Sequence, residues 1–240
     1  MNNYKSSSQL KALAKGQLLG KYSTVIGALL LMVVLMLIPN LIIVRLVDTT
    51  TIFGIIINLL ITFILGLFSG ILAVGNTYIY LNIICNRPCK ASDIFYGFKH
   101  YPDKALLLTL VVSGLSTVCM IPAYIFTYIG TYTYDIVFVL PVCILLIIGS
   151  IASVYISLVF SQVYFLLLDF PHYSVKQLLS LSTKIMKGHK GRLFYITISF
   201  LPLYLLGILS CGFALLWIEP YVNATMANFY MDLMKNRQSS

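Results

Sequence analysis

Glu219, followed by Pro220, is the one carboxylate of this chain placed inside an apolar stretch. An ionisable group so placed is a functional candidate by default, because burying its charge in a membrane is costly. A carboxylate there can relay protons or bind a cation, and Pro220 leaves a backbone carbonyl without its donor nearby. Asn223 and Asn40 are the amides that extend this candidate intramembrane polar site. The plainer reading has Glu219 about two turns from a helix end, hydrogen-bonded to Tyr221 or Asn223. The amides then act as hydrogen-bond partners between helices.

A second constellation is basic. Lys187-Gly188-His189-Lys190-Gly191-Arg192 combines cations with two glycines and can hold an anionic headgroup, with Lys15 and Lys21 as further contacts. The alternative is a solvated basic turn. His100, His172 and His189 lie far apart, and no HExxH, GxSxG or glycine-rich phosphate loop accompanies them. Cys85 and Cys89 form a CxxxC pair without a second pair or a nearby histidine, which reads as reduced thiols. The expectation is therefore a protein without enzymatic activity, cofactor or bound metal.

The elements that position these groups follow from composition. Hydrophobic residues make up 60% of the chain and charged residues 10%, against about 25% charged in soluble domains. Fifteen of the sixteen Lys and Arg residues fall in four windows: Lys5 to Lys21, Arg87 to Lys104, Lys176 to Arg192, and Lys235 to Arg237. Arg45 is the exception. Basic loops between apolar spans mark the cytoplasmic side of a multi-span membrane protein. The formal charge of +9 then points to membrane lipids and not to nucleic acid, since no polar, aromatic-interleaved surface accompanies it. Near an anionic leaflet each basic residue contributes on the order of 1 kcal/mol.

A helix needs about 20 apolar residues to cross the hydrocarbon core. Runs of that kind cover residues 23–44, 52–84, 105–128 and 136–168. The second and fourth are long enough to require tilt, a break or projection beyond the bilayer. Gly66, Gly70 and Gly75 mark places for a bend or a close contact in the second. The first run has no small-x-small cleavage site after it and is expected to stay as a span. The last apolar block reads either as one span over 193–217, which leaves Lys235 and Arg237 on the far side against the charge rule, or, the reading preferred, as spans 193–209 and 213–233 divided at Ser210-Cys211-Gly212, which returns them to the basic side. Asp48 and Asp135 fall in the opposite turns, and Tyr128, Tyr132, Tyr134 and Tyr221 fit an aromatic belt at that interface.

Each basic window also reads as an amphipathic helix preceding a pair of spans, over residues 6–20, 92–101 and 174–187. Two open with S-x-x-Q, Ser6 to Gln9 and Ser174 to Gln177, the pattern of a reciprocal helix cap. Each closes on a glycine beside a cation, at Gly20, Gly97 and Gly188. The odd spans carry a shared proline phrase at Pro39, Pro122 and Pro202. The expected fold is all-α: one membrane domain over 1–240, six spans as three repeated hairpins, both termini cytoplasmic. The amphipathic helices lie in the headgroup plane or pack as a cytoplasmic collar.

Several phrases resemble a known family. They are Lys11-Ala-Leu-Ala-Lys-Gly-Gln-Leu-Leu-Gly-Lys-Tyr22, Gly97-Phe98-Lys99, Ser180 to Gly188, Ser199-Phe-Leu-Pro202, Leu206 to Gly212, and Leu216-Trp-Ile-Glu-Pro-Tyr221 with Ala224 to Tyr230. The family is the Firmicutes integral membrane family catalogued as domain of unknown function 975. Pro202 departs from the small residue expected there. The resemblance implies a bacterial plasma membrane and a multi-span helical fold, and assigns no functional residues. A more distant similarity links it to the membrane region of some glycerophosphodiester phosphodiesterases, whose soluble catalytic part has no counterpart here. The function expected is accessory, scaffolding or lipid-interacting, possible partners being lipids or another membrane protein. The alternative is a small permease or exporter of a hydrophobic or amphipathic solute. No oligomeric state is specified.

Overall fold

The computed structural model describes residues 4–47, 51–133 and 136–238, so Asp48, Tyr134 and Asp135 lie outside the described residues. Every regular element within them is helical. The chain runs α1 (Ser7–Leu18), α2 (Tyr22–Leu46), α3 (Ile52–Ile84), a 3-10 turn (Ala91–Phe95) leading into α4 (Tyr96–His100), and α5 (Pro102–Thr133). A second 3-10 turn (Ile136–Phe138) precedes α6 (Val139–Phe160), α7 (Val163–Asp169), α8 (Val175–Ile185), α9 (Lys190–Ile198), α10 (Leu201–Leu209) and α11 (Leu215–Gln238).

Five stretches are long and apolar enough to cross a membrane: Tyr22–Leu46, Ile56–Ile84, Pro102–Gly130, Val139–Asp169 and Lys190–Leu209. The chain reverses between α10 and α11 at the expected place, with Cys211 and Gly212 both at positive φ. α11 is not among the five, because Glu219, Asp232, Lys235, Arg237 and several amides dilute its hydrophobicity.

Both reciprocal caps form. Ser6 Oγ accepts from the Gln9 amide while Gln9 returns the bond to the Ser6 amide, and Ser174 with Gln177 repeats the arrangement. The middle window differs from expectation: residues 92–101 form a 3-10 turn and a short α4, closed by Asp93 accepting from the Lys90 amide. Gly188 and Gly20 take the left-handed conformation that ends α8 and redirects the chain after α1. Gly97 instead sits against the Ile71 carbonyl, where a Cβ would clash.

The two long apolar runs take different courses. α3 is a single 33-residue helix, about 50 Å long, unbroken at its three glycines. Gly70 and Gly75 serve close contact, with Thr109 of α5 and the Ile94 carbonyl respectively, whereas Gly66 has open space around it. The fourth run is not one helix. It breaks at Ser161–Gln162, and Ser182 of α8 donates 2.7 Å to the Val159 carbonyl that the break leaves free.

The prolines divide by position. Pro39, Pro122 and Pro220 are helix-internal, while Pro141 and Pro202 occupy first turns, where no amide hydrogen is needed. The break at Ser199–Phe200 ahead of Pro202 splits the expected fifth span into α9 and α10.

The buried core lies at one end. Leu10, Ala14 and Leu18 of α1 are fully buried, together with Ile79 and Ile83 of α3, Leu166 and Leu167 of α7, and Phe229 and Tyr230 of α11. α1 packs chiefly on α11, and α8 on α7, α6 and α5. The buried residues of α1 and α8 thus face the spanning helices and not one another. Toward the other end α2, α3, α5 and α6 expose Leu37, Leu41, Phe53, Leu59, Tyr124 and Ile147.

Candidate functional site

Asp232 organises the basic end. Its side chain is 5% exposed and pairs with Arg192 at 2.5 Å, the one ion pair among the described residues. The Lys5 amide donates to Asp232 Oδ2 at 3.2 Å, and Arg192 also donates to the Lys5 carbonyl. Arg192 further lies over the rings of Tyr4 and Phe229. The N-terminal segment, the start of α9 and the end of α11 are thereby fastened together. Beside this node Tyr230 donates to Asp169 and Asn228 donates 2.7 Å to Gln17.

Several lysines donate to main-chain carbonyls at helix ends or in the turns between helices; at the end of α3, Lys21 also meets the negative end of the helix dipole. Lys21 donates to the Ile83 carbonyl at the end of α3, and Lys104 to the carbonyls of Pro171 and Tyr173. Lys11 donates 3.0 Å to the Ser199 carbonyl at the α9–α10 break and stands 4.0 Å from the Phe200 ring centre. Burial lowers the Lys11 pKa from its ordinary value. From the sequence Lys11 is only a polar-face residue of α1; the break at Pro202 is the signal that a donor was wanted nearby.

The headgroup candidates separate. Lys15 and Lys187 are exposed, Lys21 is engaged as above, and Lys190 donates to the Tyr155 hydroxyl while lying over its ring. Arg192 is drawn inward by Asp232. His189 is half-buried, its ring 4.5 Å edge-on from Tyr4. Burial pushes its pKa down, Arg192 adds to that, and Asp232 opposes it. Lys187 and His189 share a recess of about 280 Å³ with Lys184 and Arg237, two cations that no motif in the sequence marks. A larger groove of about 900 Å³ follows α1 past Gln9, Leu13 and Gln17 toward Asn86.

The polar candidates inside the apolar region do not converge as a triad. Asn40 donates 2.7 Å to the Met36 carbonyl within α2. Asn223 donates 2.9 Å to the main-chain carbonyl of Glu219, not to its carboxylate. The Glu219 side chain lies within electrostatic reach of the Tyr204 hydroxyl on α10 and of Tyr80 on α3. Its neighbourhood thus includes tyrosines of two other helices.

Spanning-length apolar helices, packed together at their basic end, define a multi-span helical membrane protein. The chain belongs to the family described as protein of unknown function DUF975, whose model matches residues 1–237. No curated protein and no solved structure matches it.

Proposed function

We propose that this is a bacterial plasma-membrane protein without catalytic activity, an accessory or scaffolding protein that holds lipids at its basic end. In this reading α11 is the sixth crossing, the three helix–hairpin units are repeats, and both termini are cytoplasmic. The observation that carries it is the uncompensated charge of the closed end. The cation-rich windows meet there, yet a single ion pair neutralises any of them among the described residues. An anionic leaflet supplies the missing counter-charge.

α11 tolerates a crossing because its charges are partnered or terminal. Glu219 faces the Tyr204 hydroxyl, Asp232 has Arg192, and Lys235 and Arg237 sit in the last turn. A reporter fused after Arg237 tests this, with cytoplasmic activity expected; periplasmic activity would leave five crossings. Native mass spectrometry of the detergent-purified protein tests the role. Retained anionic lipid or a stoichiometric protein partner is expected. A bare protein that drives solute flux in proteoliposomes would overturn it.

The permease reading draws on one feature, Glu219 near Tyr204 of the interrupted α9–α10 helix. Interrupted helices line the binding sites of many transporters. It requires a solute flux that Glu219→Gln abolishes.

A further inference from the structure

We propose that the recess formed by Lys184, Lys187, His189, Arg237 and Tyr4 binds a phosphate group. The proposal rests on the lipid-holding reading above and gives its ligand a chemical class. Three regions distant in sequence build the recess: the N-terminal segment, the α8–α9 turn and the last turn of α11. Its lining carries three permanent cations and an imidazole, and no carboxylate. The nearest acid along α11, Asp232, is committed to Arg192 and the Lys5 amide. The positive charge of the recess is therefore unspent.

Its floor is apolar. Ile185 and Leu233 are 7% and 2% exposed, and an apolar wall weakens the screening of charges beside it. The positive φ of Gly188 turns the chain between Lys187 and His189, while the Tyr4 edge contact holds the imidazole. Arg192 Nη1, on the guanidinium that Tyr4 covers, is buried without a protein partner. Two flexible ammonium groups and a planar guanidinium around a small concavity match the several oxygens of a phosphate, which accepts charge-assisted hydrogen bonds from each. A lipid phosphate and a soluble phosphate ester present the same chemistry, and the experiment separates them.

The full-length protein in neutral detergent is titrated with inorganic phosphate and, separately, with dihexanoyl phosphatidic acid. The readout is the imidazole NMR signal of His189, with His100 and His172 as internal references. The groups facing His189 are Tyr4, Arg192, Asp232 and the recess cations, so an added anion raises its titration midpoint from the depressed value. A saturable shift confined to His189 is expected. Lys187→Gln with Arg237→Gln weakens it about tenfold or more while the unfolding temperature holds. Lys99→Gln with Lys176→Gln, both exposed and outside the recess, leaves it unchanged.

Saturation by phosphatidic acid alone assigns the recess to lipid headgroups. Saturation by inorganic phosphate assigns it to soluble phosphates. No selective effect on His189, or equal binding by the double variant, overturns the site. Lipid retained in native mass spectrometry beside a silent recess would sink this site and spare the lipid-holding role. A saturable recess on a solute-transporting protein would do the reverse.

Discussion

Nothing in the sequence pairs Asp232 with Arg192: one is a lone acid near the end of α11, the other the last cation of a basic run. Their contact at 2.5 Å, with the Lys5 amide added, makes each the other's solvent. Asp232→Asn leaves Arg192 partly buried without its counter-charge, at a cost of about 2–4 kcal/mol. Chemical or thermal unfolding in one detergent measures it, and an unchanged midpoint would refute the role of the node. His189 gives a pH dependence whose sign is fixed. Its folded pKa lies below the ordinary 6.5, so the unfolded chain takes up the proton first as pH falls. Its contribution is whole above that value and is lost as pH drops through it. Stability therefore declines from pH 7.5 toward pH 5, at roughly the range set by an ordinary histidine, and His189→Gln flattens that part of the decline.

At the scale of elements, helix ends explain more than helix interiors. The α9–α10 break frees the Ser199 carbonyl, and Lys11 fills it from another helix. Lys11→Met removes that bond and is expected to cost about 1–3 kcal/mol, visible as a lower unfolding temperature that Lys11→Arg largely restores. The glycines of α3 offer a paired test. A Cβ on Gly75 would run into the Ile94 carbonyl oxygen, whereas one on Gly66 meets nothing within 4 Å. Gly75→Ala must push apart two backbones and should lower the yield of folded protein sharply; Gly66→Ala should be neutral or slightly stabilising. The caps at Ser6 and Ser174 were legible because a reciprocal cap is local: its donors and acceptors lie three residues apart. The break at Ser161–Gln162 was not, since Ser182 closes it from a helix twenty-odd residues on.

At the scale of the molecule, a closed basic end and an apolar remainder set the behaviour in lipid. Phosphatidylglycerol should raise the unfolding temperature above that in phosphatidylcholine, and the difference should shrink as salt rises from about 0.05 to 0.5 M. An equal effect of the two lipids at low salt would count against the proposed lipid-holding role. Composition, charge windows and helix caps are properties of neighbouring residues, so the sequence by itself determined an all-helical membrane class, the reversal near Gly212 and the starts of α1 and α8. It also supplied the phrases of the family. Which cations stay free was decided only by tertiary structure. Lys11, Lys21, Lys104 and Arg192 are spent on carbonyls and one carboxylate, while Lys184, Lys187 and Arg237 remain around a recess. That sorting depends on contacts between residues up to 227 positions apart, and a charge in a sequence does not show whether folding will bring it a partner.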